Sequence, residues 1–233
     1  LYAGLRYLSD SSQNILTVED PIEYTLNGIG QTQVNNKTGY TFAKGLRAIL
    51  RQDPDIVMVG EMRDIETAQI GIQSSLTGHL VLSTVHTNSA VAAITRLRDM
   101  GIESFLLASS LRTIISQRLV RRLCPHCKTK DKPSIKSIDI FGLDKNKSVY
   151  SAKGCDECNH TGYQGRIAIA ECIQIDKTLK DFIHNNASEN EISEYVFKDN
   201  QSIDQASVDL ITSGVTSCEE IIRINNIQED ASI

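Results

Sequence analysis

The chain has 233 residues, 40% of them apolar and 23% charged, the make-up of a globular protein of one or two domains. A net charge of −5 speaks against nonspecific nucleic-acid binding, so no nucleic-acid partner is expected. No apolar run approaches the roughly 18 residues of a membrane-crossing helix, and no signal peptide is expected.

The opening residues, Leu1-Tyr-Ala-Gly-Leu-Arg-Tyr-Leu8, have the spacing of an amphipathic helix, with no helix-start signal and no initiator Met. They read as the middle of a helix in a chain cut from a longer protein. A strand is predicted over Ile15–Val18, ending in Glu19-Asp20-Pro21, and a short second one over Gln31–Val34. Thr41 begins a helix with Phe42, Leu46, Ile49 and Leu50 on one face, and Asp53-Pro54 stops it. Ile56–Val59 is an apolar strand that runs straight into Gly60 and Glu61. Asp64 caps a helix expected to bury Ile65, Ala68, Ile72 and Leu76. Gly78 ends that helix, Leu80–Val85 forms another strand, and Ser89 caps a helix that closes at Gly101. Strands separated by helical patterns predict an α/β fold with a mainly parallel sheet.

Residues 103–122 are predicted helical, with a basic end at Arg118, Arg121 and Arg122. Four cysteines then follow as Cys124-x₂-Cys127-x₂₇-Cys155-x₂-Cys158, the spacing of metal ligands. Four thiolates suit tetrahedral Zn²⁺ and leave no position open for water, so the site is expected to be structural. His126 and His160 flank the pairs, but four cysteines already suffice. The segment from 124 to about 165 is too small to hold a core without a metal. Cys172 and Cys218 stand alone and are expected to be small buried residues. A strand is predicted over Arg166–Ile175, then short helices from 176 with capping boxes at Ser188-x-x-Glu191 and Ser217-x-x-Glu220. The residues from about 226 are expected to fray.

Three strand ends carry the chemistry. They are Glu19-Asp20-Pro21-Ile22-Glu23, Gly60-Glu61 and His86-Thr87-Asn88. In a parallel sheet these ends lie side by side at the carboxyl edge, where open α/β sheets bind ligands. Acids and a histidine there suit Mg²⁺ and a nucleotide: carboxylates for metal and water, histidine and hydroxyls for a γ-phosphate. The phosphate-cradling Gly-x-x-x-x-Gly-Lys-Ser/Thr loop is found nowhere in the chain.

Three of these segments also resemble motifs of the secretion and type IV pilus ATPases. Thr17-Val-Glu-Asp-Pro-Ile-Glu-Tyr24 resembles that family's aspartate box. Leu46-Arg-Ala-Ile-Leu-Arg-Gln-Asp-Pro-Asp-Ile-Val-Met-Val-Gly-Glu-Met-Arg-Asp64 resembles its Walker B segment, and Thr77-Gly-His-Leu-Val-Leu-Ser-Thr-Val-His-Thr-Asn88 its histidine box. The tetracysteine and Gly162-Tyr-x-Gly-Arg166 follow in the family's order, so the likeness covers roughly 1–225. It is strongest to the type II secretion branch, with the pilus extension ATPases as runner-up; retraction ATPases typically lack the tetracysteine.

The resemblance implies an α/β, RecA-like P-loop ATPase core over 1–122, incomplete because it starts just past Walker A. It implies a tetracysteine zinc lobe over 123–175 and a small C-terminal helical subdomain over 176–233. Glu61 matches the Walker B glutamate, for water polarisation or Mg²⁺ placement; its bland alternative is helix capping, for which Asp64 is better placed. Glu23 is the candidate general base, and Glu19 and Asp20 hold metal-bound water or only fix the loop. His79 and His86 fall at opposite ends of a seven-residue stretch roughly 23 Å long. His86 is therefore preferred for γ-phosphate sensing, and His79 is structural or acts across a subunit boundary. Arg47, Arg51 and Arg63 supply charge to a phosphate or form ordinary ion pairs.

The expected cofactors are ATP, Mg²⁺ and Zn²⁺. The implied protein is a cytoplasmic homo-hexamer, attached peripherally to the inner membrane through platform proteins that bind the missing N-terminal region. ATP hydrolysis would drive pseudopilus assembly and protein export, with this fragment inactive alone. A noncatalytic zinc-stabilised interaction module is the alternative from a different class. A nucleic-acid motor with a zinc ribbon is disfavoured by the acidic balance.

Overall fold

Four consecutive apolar residues, Ile56–Val59, have no polar face to offer water, and the fold asks for none. The computed structural model describes residues 1–9 and 12–230, with side chains to 224. In it β1 (Ile15–Glu19), β2 (Gly30–Gln33), β3 (Ile56–Val59) and β4 (Leu80–Ser83) form one parallel sheet in the order β2-β1-β3-β4. Val57 and Val59 pack on one face with Val18, Phe42, Leu46 and Ile49. Ile56 and Met58 pack on the other with Leu5, Ile15, Leu26 and Ile29. A strand covered on both faces reads as a continuous apolar run. Each such side chain contributes about 1.5–3 kcal/mol by leaving water.

The helices of these covers are α1 (Tyr2–Leu8), which supplies Leu5, and α2 (Phe42–Ile49), which Thr41 caps. Then come α3 (Ile65–Leu76), α4 (Ala90–Asp99) and α5 (Ser104–Ser110). Asp64 caps α3 and Ser89 caps α4 as expected. Register sets the carboxyl edge. Val59 lies beside Val18 and Ser83, so the segments after β1, β3 and β4 all leave from the same side.

Packing divides the chain into two units, each of two stretches: Leu1–Arg112 with Ile175–Ser193, and Thr113–Gln174 with Glu194–Ile233. The division into 1–122, 123–175 and 176–233 follows motifs and is a different partition, although its boundary after 175 lies one residue from the one after Gln174. The second unit holds β5 (Thr113–Leu123), β6 (Thr129–Asp131), α6 (Ile135–Phe141), β7 (Val149–Ser151) and β8 (Tyr163–Gln174). Next, α7 (Lys177–His184) belongs to the first unit, and α8 (Glu189–Val196) runs across the division. α9 (Ile203–Thr212) and α10 (Cys218–Asp230) complete the second. Arg98 of α4 donates to the carbonyls of Ile183 and Ala187, both at 2.9 Å, which satisfies the C-terminal end of α7.

Several expectations need correction. Residues 103–122 are not one helix. The chain turns extended at Leu111, and 113–123 pair antiparallel with β8 along their length. That pairing comes from a strand far along the chain, and it overrides local helical spacing. Cys172 is exposed, because β8 buries Ile169, Glu171 and Ile173 and turns the alternate residues outward. Cys218 is buried, as expected. Ile65 and Leu76 are exposed at the two ends of α3, whose buried stripe is Thr67, Ala68, Gly71, Ile72 and Ser74. β4 stops at Ser83 and not at Val85. The fraying expected from about 226 falls on positions whose side chains lie outside the described residues.

The box at Ser188 and Glu191 closes in both directions, but that at Ser217 is half made. Ser217 Oγ accepts from Glu220 N at 3.3 Å, while the Glu220 carboxylate goes elsewhere. It is fully buried, and accepts from Arg223 Nη2 at 2.8 Å, from Arg121 Nη2 at 2.6 Å and from the Arg121 backbone at 3.0 Å. Burial would raise this carboxyl, but Arg223 and Arg121 outweigh burial and hold it at about 2. A folded pKa below the unfolded one gives stability that is present above the unfolded value and lost as pH falls toward about 2. Glu220→Gln is therefore expected to destabilise this unit by about 3 kcal/mol at neutral pH. The check is urea unfolding followed by circular dichroism, with the loss shrinking below pH ~4.

Candidate functional site

Glu61 follows β3 by two residues, and its backbone is fixed from both neighbouring strands. Gly60 N donates to Val18 O at 2.8 Å, Met62 N to Thr84 O at 2.9 Å, and Thr84 Oγ1 to Gly60 O at 2.7 Å. The Glu61 side chain is 10% exposed and bonds Arg63 Nη2 at 2.5 Å and His86 Nε2 at 3.1 Å. Burial would raise its carboxyl, but Arg63 and then His86 outweigh burial and hold it below the usual range. Asp64, not Glu61, caps the following helix, with Thr67 N at 2.8 Å. The helix-capping alternative for Glu61 is thereby removed.

His86 is 84% exposed and reaches Glu61 from the segment after β4. The Arg63 guanidinium is held above its ordinary value by Glu61, with Asp20 adding to it. Glu19 is 3% exposed, and its carboxylate is shared among Thr17 at 2.5 Å, Gln31 at 3.1 Å and the Tyr2 hydroxyl. Asp20 and Glu23 are exposed on the loop after β1.

The remaining predicted residues lie apart from this group. Arg47 pairs with Glu66 at 2.7 Å, both well exposed, a geometry worth little by itself. His79 precedes β4 at the amino edge, the opposite one, with Nδ1 3.0 Å from Ser74 O and 3.3 Å from Thr77 Oγ1. Sequence reading missed Tyr2, Gln31 and Thr84, which hold the acidic residues in place. Their only signal is spatial.

In the other unit the four cysteine sulfurs lie within 4.8 Å of one another. Cys124–Cys155, Cys127–Cys158 and Cys155–Cys158 are 3.9, 3.8 and 3.8 Å apart. Sulfurs about 2.3 Å from one tetrahedral ion would be about 3.8 Å apart, so the cluster fits zinc. Burial would raise the Cys158 thiol, but the N–H groups of Cys155 and Gly162 outweigh it and bring it to about 6. Burial and the neighbouring thiols push Cys155 up to about 12. A cation would let all four ionise together. Gly162 is at φ +76°, where a Cβ would meet Ala152 Cβ at 2.6 Å, so only glycine aims this N–H at sulfur. His160 bonds Asp156 at 3.1 Å and is no part of the cluster.

Residues 1–223 match a family model described as type II/IV secretion system protein. The chain is 54% identical over 226 residues to the type II secretion system ATPase E of Vibrio cholerae, covering 96% of this chain and 45% of that protein. It is likewise 54% identical to the type II secretion system protein E of Pseudomonas aeruginosa, with the same coverage. It thus spans about half the length of these curated relatives. The crystal structure of the pilus retraction motor PilT with bound ADP superposes with a TM-score of 0.69 at 27% identity, covering 94% of this chain and 55% of that one.

Proposed function

Because the chain belongs to the type II/IV secretion system protein family, we propose that it is the hydrolytic part of a type II secretion ATPase, the motor that drives pseudopilus assembly and protein export. Its fold is an α/β RecA-like core joined to a tetracysteine lobe. The observation that carries the reading is Glu61, buried at the carboxyl edge between Arg63 and His86.

The Arg63 guanidinium and the His86 hydrogen bond hold the Glu61 carboxyl below the usual range, and a carboxylate with a lowered pKa is a poor proton acceptor at neutral pH. Its role is thus to orient water or place Mg²⁺, which would neutralise phosphate charge when bound with the nucleotide. Glu23, exposed on the same edge, is the general base. His86, tied to Glu61 and open to solvent, senses the γ-phosphate. Glu19 and Asp20 set the acidic loop, Arg63 offers charge to a phosphate, and Arg47 and His79 act at a subunit junction. The motor works as a cytoplasmic homo-hexamer held at the inner membrane through platform proteins. No helix among the described residues is long and apolar enough to cross a membrane. Identity of 54% to proteins named for type II secretion supports this branch over pilus extension.

These 233 residues contain no phosphate-cradling loop. We expect the chain alone to bind ATP weakly or not at all, and to be inactive. Calorimetry is the check: affinity on this chain equal to that of a full-length relative would refute it. Phosphate release by the full-length protein, abolished with Glu61 removed, tests the ATPase reading itself.

A further inference from the structure

We infer that Tyr2 is a positioning residue for hydrolysis, its phenol hydroxyl clamping the acidic loop after β1 to the Glu19 carboxylate. The inference rests on the proposed nucleotide site at this edge and names what holds its loop.

Four segments meet at one oxygen. Tyr2 Oη donates to Glu19 Oε2, and it accepts from Glu23 N at 3.3 Å and from Gln31 Nε2 at 3.1 Å. A phenol has one proton and two lone pairs, and all three are used. Gln31 extends the clamp. Its Nε2 also reaches Glu19 Oε1 at 3.1 Å and Tyr24 O at 3.3 Å, and its Oε1 accepts from Leu26 N at 2.7 Å. The Tyr2 ring stands edge-on to Tyr24, centroids 4.7 Å apart. Arg6 lies over the Tyr24 ring, its guanidinium carbon 5.4 Å from the centroid. Burial, and then the Glu19 bond, raise the phenol's pKa, so the hydroxyl keeps its proton for Glu19.

The consequence falls on Glu23. Its side chain is exposed, so its direction follows the backbone that carries it. The Glu23 amide is held by Tyr2, and the neighbouring Ile22 amide by Gln33 Oε1 at 3.3 Å. Without the hydroxyl, Glu19 keeps Thr17 and Gln31, and β1 keeps its ladder; what is freed is the loop. A shift of about 1 Å in a catalytic group can slow turnover about 100-fold with little change in binding.

Tyr2→Phe tests this, because it keeps the ring on Tyr24 and removes only the oxygen. In the 233-residue chain, hydrogen exchange over 20–24 should quicken about fivefold or more, the scale of one lost hydrogen bond, with 56–59 unchanged. In the full-length ATPase, kcat should fall about 10- to 100-fold with KM for ATP within twofold. Unchanged exchange overturns the clamp. Faster exchange with unchanged kcat overturns its role in turnover, as does a rise in KM alone. If the unsubstituted full-length protein hydrolyses no ATP, the nucleotide reading fails, and with it the positioning role. The exchange result then stands only for the clamp as a fixture of the loop.

Discussion

Glu61→Gln is expected to lower kcat for ATP about 100- to 1,000-fold in the full-length protein, the cost of losing one positioning or charge-stabilising group, with nucleotide affinity changed only a few-fold. The substitution keeps size and removes charge. Arg63 and His86 lose the carboxylate that both bond, at 2.5 and 3.1 Å. The neutral amide can neither orient water as a full acceptor nor balance a metal. The packing of β3 lies on the preceding residues, Ile56–Val59, so the fold should persist. Phosphate release at saturating Mg²⁺-ATP, with a melting curve as control, measures it. A kcat within threefold of the unsubstituted protein would remove Glu61 from the mechanism.

The second large effect concerns the cysteines. Chelating the metal, or replacing Cys127 by Ser, is expected to unfold the segment 124–162. Structural zinc contributes roughly 10–16 kcal/mol in small metal-bound modules, as much as a whole domain's stability. Few apolar residues of this segment are buried: Leu143 and Val149 contribute, and β6 and β7 are three residues each. Metal analysis should find one zinc per chain. After chelation, proteolysis should cut between Cys124 and Gly162 while the Glu61 edge stays protected. A cleavage pattern indifferent to chelator would mean that thiols and packing suffice without a metal.

How much was legible depends on distance along the chain. β3 and Glu61 could be read because the signal is local: an apolar run, a glycine, an acid. The cysteine pairs carry their geometry in their spacing. The caps at Thr41, Asp64 and Ser89 each concern a hydrogen bond three residues away. β5 is hidden from a local reading because its determinant is β8, with Ile115 beside Cys172 and Leu119 beside Ala168. The same pairing turned Cys172 outward. Glu220 fits a capping box by sequence, yet two arginines, one on β5, claim its carboxylate. Tyr2 gave no warning, since its partners come from β1, the acidic loop and β2.

The discontinuous units have a consequence for biosynthesis. A ribosome emits the chain vectorially, and β5 must wait with an open edge until β8 emerges. The first unit waits in turn for 175–193, and the second for α10. Translation halted after Gln174 would leave both unfinished. The nascent chain therefore passes through a stage when two incomplete cores coexist.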